Sequence, residues 1–202
     1  MNKEEIKKFF PVNVSSKFAI CGLPIRVDTY KCCSFQCAYC FSNNRKICEF
    51  EKELQIADVE KTDEWLSKVS KGKFKKNDFL ATLVNDGITW HCGGMSDPFQ
   101  PCESKYRITE QLVDVTNKYG VSILFSTKSA DIYGGNFRQD LHSFQLSVSN
   151  VDNNKLLEPN VPDIQERLNL FRNLKKDGYK VGIRIQPFVP NVSNLEIVKN
   201  LM

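Results

Sequence analysis

"CCSFQCAYCF", residues 32–41, sets four cysteines within ten residues, directly after the β-branched segment "LPIRVDTY" at 23–30. Parallel βα folds carry their chemistry on loops leaving the C-terminal ends of strands. A strand running straight into a thiol-rich loop therefore decides how the rest of the chain is read.

Downstream of that loop, short apolar runs alternate with helical patterns. "GITWHCGG" (87–94) reads as a second strand closed by a glycine pair, "VSILFSTK" (121–128) as a third and "SFQLSVSN" (143–150) as a fourth. "KVGIRIQPFVP" (180–190) reads as a fifth. Between them, "RITEQLVDVTNKYG" (107–120) spaces Ile108, Leu112 and Val115 as a helix stopped by Gly120. "VPDIQERLNLFRNLKKDGY" (161–179) places Ile164, Leu168, Phe171 and Leu174 on one helical face, with Gly178 at its end. "SNLEIVKNLM" (193–202) starts a further helix, capped by Ser193 or Asn194. This alternation predicts an α/β fold with a parallel sheet of five to six βα units. A closed eight-unit barrel takes roughly 250 residues, so the 202-residue chain is expected to form a partial (βα) barrel. An N-terminal arm at 1–18 precedes a single domain at 19–202.

Composition sets outer bounds. Hydrophobic residues make up 41% and charged residues 26% of the chain, which suits one globular core. A net charge of +4 permits an anionic partner such as nucleic acid without demanding one. The Lys-rich run "KVSKGKFKKND" (68–78) reads as a solvated loop before it reads as a phosphate-contacting patch. No apolar run is long enough for a signal peptide core or a membrane span, so the expected compartment is the cytoplasm. There, eight cysteines point to a metal or catalytic site ahead of a disulfide framework.

The thiols admit two readings. Cys37-x2-Cys40 could form half of a zinc site completed by Cys32 or Cys33 and by Cys48, although its second short-spaced arm is missing. Alternatively Cys33, Cys37 and Cys40 act as three ligands of a [4Fe–4S] cluster, which normally takes four thiolates, and leave one iron open.

The spacing Cys33-x3-Cys37-x-Tyr39-Cys40 resembles the hallmark of radical S-adenosylmethionine (radical SAM) enzymes. The likeness covers most of the chain from about residue 20. "GGMSDPFQPCE" (93–103) is similar to a signature of the spore photoproduct lyase-like group, and "STKS" (126–129) to its segment after strand three. "LSVSN" (146–150), "LEPNVPDIQERL" (157–168) and "GYKVGIRIQPFVP" (178–190) resemble its fourth strand end, its turn and helix, and its fifth strand.

The resemblance implies that Cys33, Cys37 and Cys40 hold three irons while the fourth binds S-adenosylmethionine. A one-electron donor such as flavodoxin or ferredoxin would reduce the cluster, and the 5′-deoxyadenosyl radical released would remove hydrogen from a substrate. The expected cofactor-binding set follows from what S-adenosylmethionine needs. Lys128 and Ser149 offer a cation and a donor to its carboxylate. Gly93 and Gly94 leave room for close backbone approach, and Tyr39 supplies an aromatic wall. Arg184 and Gln186, which alternate on strand five and so share a face, complete the set. Read singly, Lys128 is more often a solvated surface lysine and Ser149 a helix or turn cap; their common rim argues for function. Asp97 and Glu103 lie in the loop after strand two, with Asp97 a candidate catalytic residue or a turn cap. His91 and His142 are left unassigned, and Cys32 is a surplus thiol.

The group's name-giving reaction, repair of a thymine dimer in DNA, requires a thiol donor and a relay tyrosine. The matching positions here are Gly94 and Phe41, neither able to serve, and the candidate donor Cys92 lies about 6–7 Å further down the strand. The expectation is therefore a reaction type without an assigned substrate. A zinc-stabilised nucleic-acid-binding protein and a degenerate radical SAM scaffold are the alternatives. Without a sixth unit, strand five would be an open edge that invites a partner or a second copy.

Overall fold

The computed structural model describes residues 6–16, 19, 22–42, 54–149, 151 and 155–189. The helix expected at 193–202 and Cys48 lie outside them. In chain order the described elements are β1 (Lys8–Phe9), β2 (Val12–Val14), β3 (Ile25–Val27), β4 (Tyr30–Lys31), β5 (Gln55–Ala57), α1 (Val59–Val69) and α2 (Phe79–Asn85). There follow β6 (Trp90–Cys92), α3 (Glu103–Tyr106), α4 (Ile108–Lys118), β7 (Ile123–Thr127), β8 (His142–Ser147), α5 (Ile164–Lys176) and β9 (Lys180–Arg184). No helix among the described residues is long and apolar enough to cross a membrane.

The main sheet has the order β2-β3-β6-β7-β8-β9. β3, β6, β7, β8 and β9 are parallel to their neighbours, and β2 alone runs antiparallel. All five expected strands are thus present, in sequence order and parallel. The first is shorter than "LPIRVDTY" suggests. After Val27 the chain leaves the main sheet, and Tyr30 pairs with Ile56 in a second sheet of order β1-β5-β4. The break falls at Asp28, whose buried carboxylate accepts the N–H of Met95 at 3.1 Å and lies 2.9 Å from Arg26 Nε. The N-terminal segment is woven into both sheets, through β1 in the small one and β2 in the main one.

Strand alternation gives the main sheet two unlike faces. Ile25, Val27, Trp90, Cys92, Ile123, Phe125, Phe144 and Leu146 point to one side and are each at most 1% exposed. Leu66 of α1, Leu112 and Val113 of α4, and Leu168, Phe171 and Leu174 of α5 cover them in a single core. Each large apolar side chain so buried contributes roughly 1.5–3 kcal/mol. On α4 the buried face includes Val113, while Val115 is only partly buried. The other side of the sheet carries Arg26, His91, Ser126 and Gln145, a polar row linked by His91 Nε2 to Ser126 Oγ at 2.8 Å and Ser126 Oγ to Gln145 Oε1 at 3.0 Å.

The helices start where side chains meet their unpaired N–H groups. Asp58 caps α1 and Asp78 caps α2, each accepting an N–H at 3.0 Å. Asp163 and Glu166 form a capping box on α5. α4 begins differently. Its N-cap, Arg107, has a left-handed backbone (φ 51) and no side-chain cap. The buried Glu103 carboxylate instead accepts the N–H groups of Thr109 at 3.1 Å and Glu110 at 3.0 Å, and the Tyr30 hydroxyl also donates to it. Glu103 is thus a structural carboxylate within the fold, and burial raises its pKa despite these donors.

Candidate functional site

Because the five strands are parallel, the segments following β3, β6, β7, β8 and β9 leave from one edge of the sheet. That edge gathers the cysteine loop, the segment 93–100, Lys128, Ser149 and Gln186.

The cysteine loop has little regular backbone structure of its own. It is held from two sides. On one, the fully buried Gln100 accepts the Ser34 N–H through Oε1 at 2.7 Å and donates to the Cys32 carbonyl through Nε2 at 3.1 Å. On the other, the Ala38 N–H reaches the Leu157 carbonyl at 2.9 Å, and Asn160 Nδ2 donates to the Ser34 carbonyl at 2.8 Å. Phe35, Cys37 and Val161 form a small apolar cluster against which Cys33, Tyr39 and Cys40 pack.

Cys33, Cys37 and Cys40 are free thiols. Burial pushes the Cys33 thiol far above its ordinary range, with the charge of Asp97 acting in the same direction. Burial pushes Cys37 up to about 11, opposed by the Lys128 ammonium. Both are therefore protonated at neutral pH, and a metal must displace those protons to bind. Cys32, by contrast, is disulfide-bonded.

Tyr39, Lys128 and Ser149 come together. The Tyr39 hydroxyl donates to Glu158 and is hydrogen-bonded by Ser149. Lys128 Nζ lies 5.4 Å from the centre of the Tyr39 ring and 2.7 Å from Glu158 Oε1. Arg167, 1% exposed, sits with NH1 3.6 Å from Glu158 Oε2, and its guanidinium donates to the Ser147 carbonyl at the end of β8. A buried anion is thus flanked by two cations. Removing one member of such a group costs about 3–5 kcal/mol.

Asp97 is 7% exposed and its carboxylate is fully engaged. Oδ1 accepts from Thr127 Oγ1 at 2.7 Å and from the Phe99 N–H at 3.0 Å, and Oδ2 accepts the Lys128 N–H at 2.7 Å. Burial raises its pKa despite these donors. Asp97 here caps a turn and ties it to the end of β7.

Gly93 has φ +99, and a Cβ there would lie 2.1 Å from the Ser126 carbonyl oxygen. Glycine is required because the β7 backbone passes against it. At Gly94 the nearest atom to a Cβ would be Arg26 Cδ at 3.4 Å, an ordinary contact. Arg184 and Gln186 meet each other at the end of β9, Arg184 Nε donating to Gln186 Oε1 at 2.8 Å. Cys92 is fully buried in the core on the helix-covered face, opposite His91.

Glu158, Arg167 and Gln100 escaped the sequence reading as site residues. The available signal was slight: the motif-like segments "LEPNVPDIQERL" and "GGMSDPFQPCE" contain all three.

Three free thiols on one loop suit a cluster with three protein ligands in kind and number. Among the described residues, no three His, Cys, Asp or Glu side chains gather as a group for a metal ion.

No protein-family model matches the chain. An uncharacterised protein of Methanocaldococcus jannaschii is 23% identical over 205 residues, covering 96% of this chain and 70% of that protein. Among solved structures, spore photoproduct lyase complexed with dinucleoside spore photoproduct superposes with a TM-score of 0.60 at 14% identity, over 92% of this chain and 51% of that one. A variant of that lyase with bound AdoMet and dinucleoside spore photoproduct gives 0.56 at 14% identity, over 86% and 50%. The chain therefore spans about half the length of the solved structures it matches. The likeness is one of fold: a mixed α/β chain with a mostly parallel sheet, built like part of spore photoproduct lyase.

Proposed function

We propose that the chain is a radical SAM enzyme domain whose cysteine loop holds a [4Fe–4S] cluster through Cys33, Cys37 and Cys40. The observation that carries this reading is the placement of three free thiols, spaced x3 and x2, on the loop after the first parallel strand of a fold shared with spore photoproduct lyase. Such a cluster, with S-adenosylmethionine and an electron from a donor such as flavodoxin or ferredoxin, supplies reductive cleavage of the sulfonium and a 5′-deoxyadenosyl radical for hydrogen abstraction.

This chain's residues would prepare that chemistry. Cys33, Cys37 and Cys40 would hold the cluster through their sulfur atoms. Tyr39, stacked by Lys128 and held by Glu158 and Ser149, provides an aromatic surface at the rim. Lys128, at the rim beside Tyr39 and paired with Glu158, offers a cation to a carboxylate. Gly93 and Gly94 bring backbone close to the same edge. The six-stranded sheet would form the wall of a partial barrel, with the polar row of Arg26, His91, Ser126 and Gln145 lining its interior beside Arg184 and Gln186. Phe41, lacking a hydroxyl, and Cys92, buried behind the sheet, speak against thymine-dimer repair, so the reading extends to the reaction type. Nucleic acid is one substrate class to screen.

Anaerobic reconstitution with iron and sulfide tests the assignment. A brown protein with about four irons per chain is expected, its colour lost in Cys40→Ala. Tight zinc with no iron would overturn it. Formation of 5′-deoxyadenosine from S-adenosylmethionine under reducing conditions then separates an active enzyme from a degenerate scaffold.

A further inference from the structure

Glu158 lies in the turn between β8 and α5 and is 3% exposed. It is remote from the cysteine loop in sequence, yet its Oε1 receives both the Tyr39 hydroxyl and Lys128 Nζ. Its other oxygen faces Arg167. Lys128 is anchored by its own N–H to Asp97 at 2.7 Å, and Arg167 by its guanidinium to the Ser147 carbonyl. Glu158 is therefore fixed to the ends of β7 and β8, while Tyr39 stands between the second and third cysteines of the motif.

We propose that Glu158 is a positioning residue that holds the Cys37–Cys40 segment in place before any cluster binds. Three observations support the idea. Among the described residues, the segment's own backbone contributes one turn bond, Cys40 N–H to the Cys37 carbonyl at 3.0 Å. The loop also carries Gln36 at φ 49, a backbone conformation that non-glycine residues seldom adopt and that persists only when its surroundings enforce it. Finally, the turn bearing Glu158 supplies further grips on the loop, from the Leu157 carbonyl to Ala38, from Asn160 to Ser34, and from Val161 to Phe35 and Cys37. A buried carboxylate clamped by two cations is a stiff attachment point, and a tyrosine hydroxyl reaching it transmits that stiffness to the ligand loop. The purpose of such positioning rests on the cluster reading above; the positioning itself is a property of the metal-free chain.

The test is hydrogen exchange on the metal-free protein, comparing wild type with Tyr39→Phe and Glu158→Gln. Tyr39→Phe removes one hydroxyl and leaves the Glu158–Lys128–Arg167 group intact, so it reports on the loop even where Glu158→Gln folds poorly. Both variants are expected to exchange the amides of Ala38 and Cys40 about tenfold faster, with β7 and β8 unchanged. After anaerobic reconstitution, both should also release iron to a chelator several-fold faster than wild type. Exchange at Ala38 and Cys40 equal to wild type in Tyr39→Phe, or a uniform loss of protection across the sheet, would overturn the proposal. A wild-type protein that takes up no iron would defeat the cluster reading instead and leave the exchange result to stand by itself.

Discussion

The side-chain amide of Gln100 accepts the backbone N–H of Ser34 at 2.7 Å, while its other end donates to the neighbouring Cys32 carbonyl at 3.1 Å. One fully buried side chain after β6 thus fixes the start of the cysteine loop, 66 residues away in sequence from Ser34. Gln100→Ala leaves those two backbone groups without their partners, at about 1–3 kcal/mol each where water cannot reach. A drop in thermal midpoint is expected, together with less iron retained after reconstitution. Unchanged iron content would show that the loop is held sufficiently from the 157–161 side.

The two glycines at the end of β6 should behave differently. At Gly93 an added Cβ meets the Ser126 carbonyl oxygen at 2.1 Å in a positive-φ conformation, so Gly93→Ala is expected to cost about 2–4 kcal/mol. Gly94→Ala meets only ordinary contacts and should stay within about 1 kcal/mol of wild type. Denaturant melts of the two variants give the comparison; equal losses would contradict it.

Acid should weaken the fold through its two histidines. Burial lowers His142 to about 4, assisted by Arg138 and opposed by Asp140. Burial, then the Arg184 charge, lowers His91 to about 4. Both folded-state values lie below the unfolded value near 6.5. Between pH about 6.5 and 4 the unfolded chain therefore binds protons that the folded chain refuses, and stability falls as pH falls, by at most about 3 kcal/mol per imidazole. His142→Asn keeps an acceptor for the Arg138 N–H, which reaches His142 Nδ1 at 2.9 Å, and removes the titrating ring. Its slope of thermal midpoint against pH in this window should be shallower than that of wild type.

Cys92 should prove inert in the native state. It is fully buried in the core, and burial raises its pKa well above the ordinary thiol value. Iodoacetamide is expected to spare Cys92 in the folded protein and to label it in denaturant. Cys92→Ala should cost about 1–2 kcal/mol of packing while iron loading and 5′-deoxyadenosine formation stay intact. Loss of either with the fold preserved would restore Cys92 as a functional thiol.

The five strands, α4 and α5 were legible from local pattern alone, because alternation, helical spacing and stop residues act over a few positions. Where β3 ends was not. "LPIRVDTY" has an unbroken strand composition, and only Asp28, buried beneath Met95 and paired with Arg26, shows why the chain turns off at Val27. Asp97 and Glu103 illustrate the same boundary. Their acidic side chains on a rim are consistent with chemistry, yet their oxygens are taken up by Thr127 and Lys128 in one case and by α4 and Tyr30 in the other.

By itself, the sequence carried the ligand set proposed for the cluster, through the resemblance of the Cys33-x3-Cys37-x2-Cys40 spacing to the radical SAM hallmark, a pattern within one short loop. It also determined the parallel order of the strands, which follows from the alternation of strand and helix. Only the tertiary structure decided which residues hold that loop. Tyr39 meets Glu158 across 119 positions, and Ser34 meets Gln100 across 66. The same folding turned Cys92 away from the polar face and made Gly93 obligatory against Ser126. Such relations depend on buried charge and close backbone approach, which arise only when distant segments share one volume from which water is excluded.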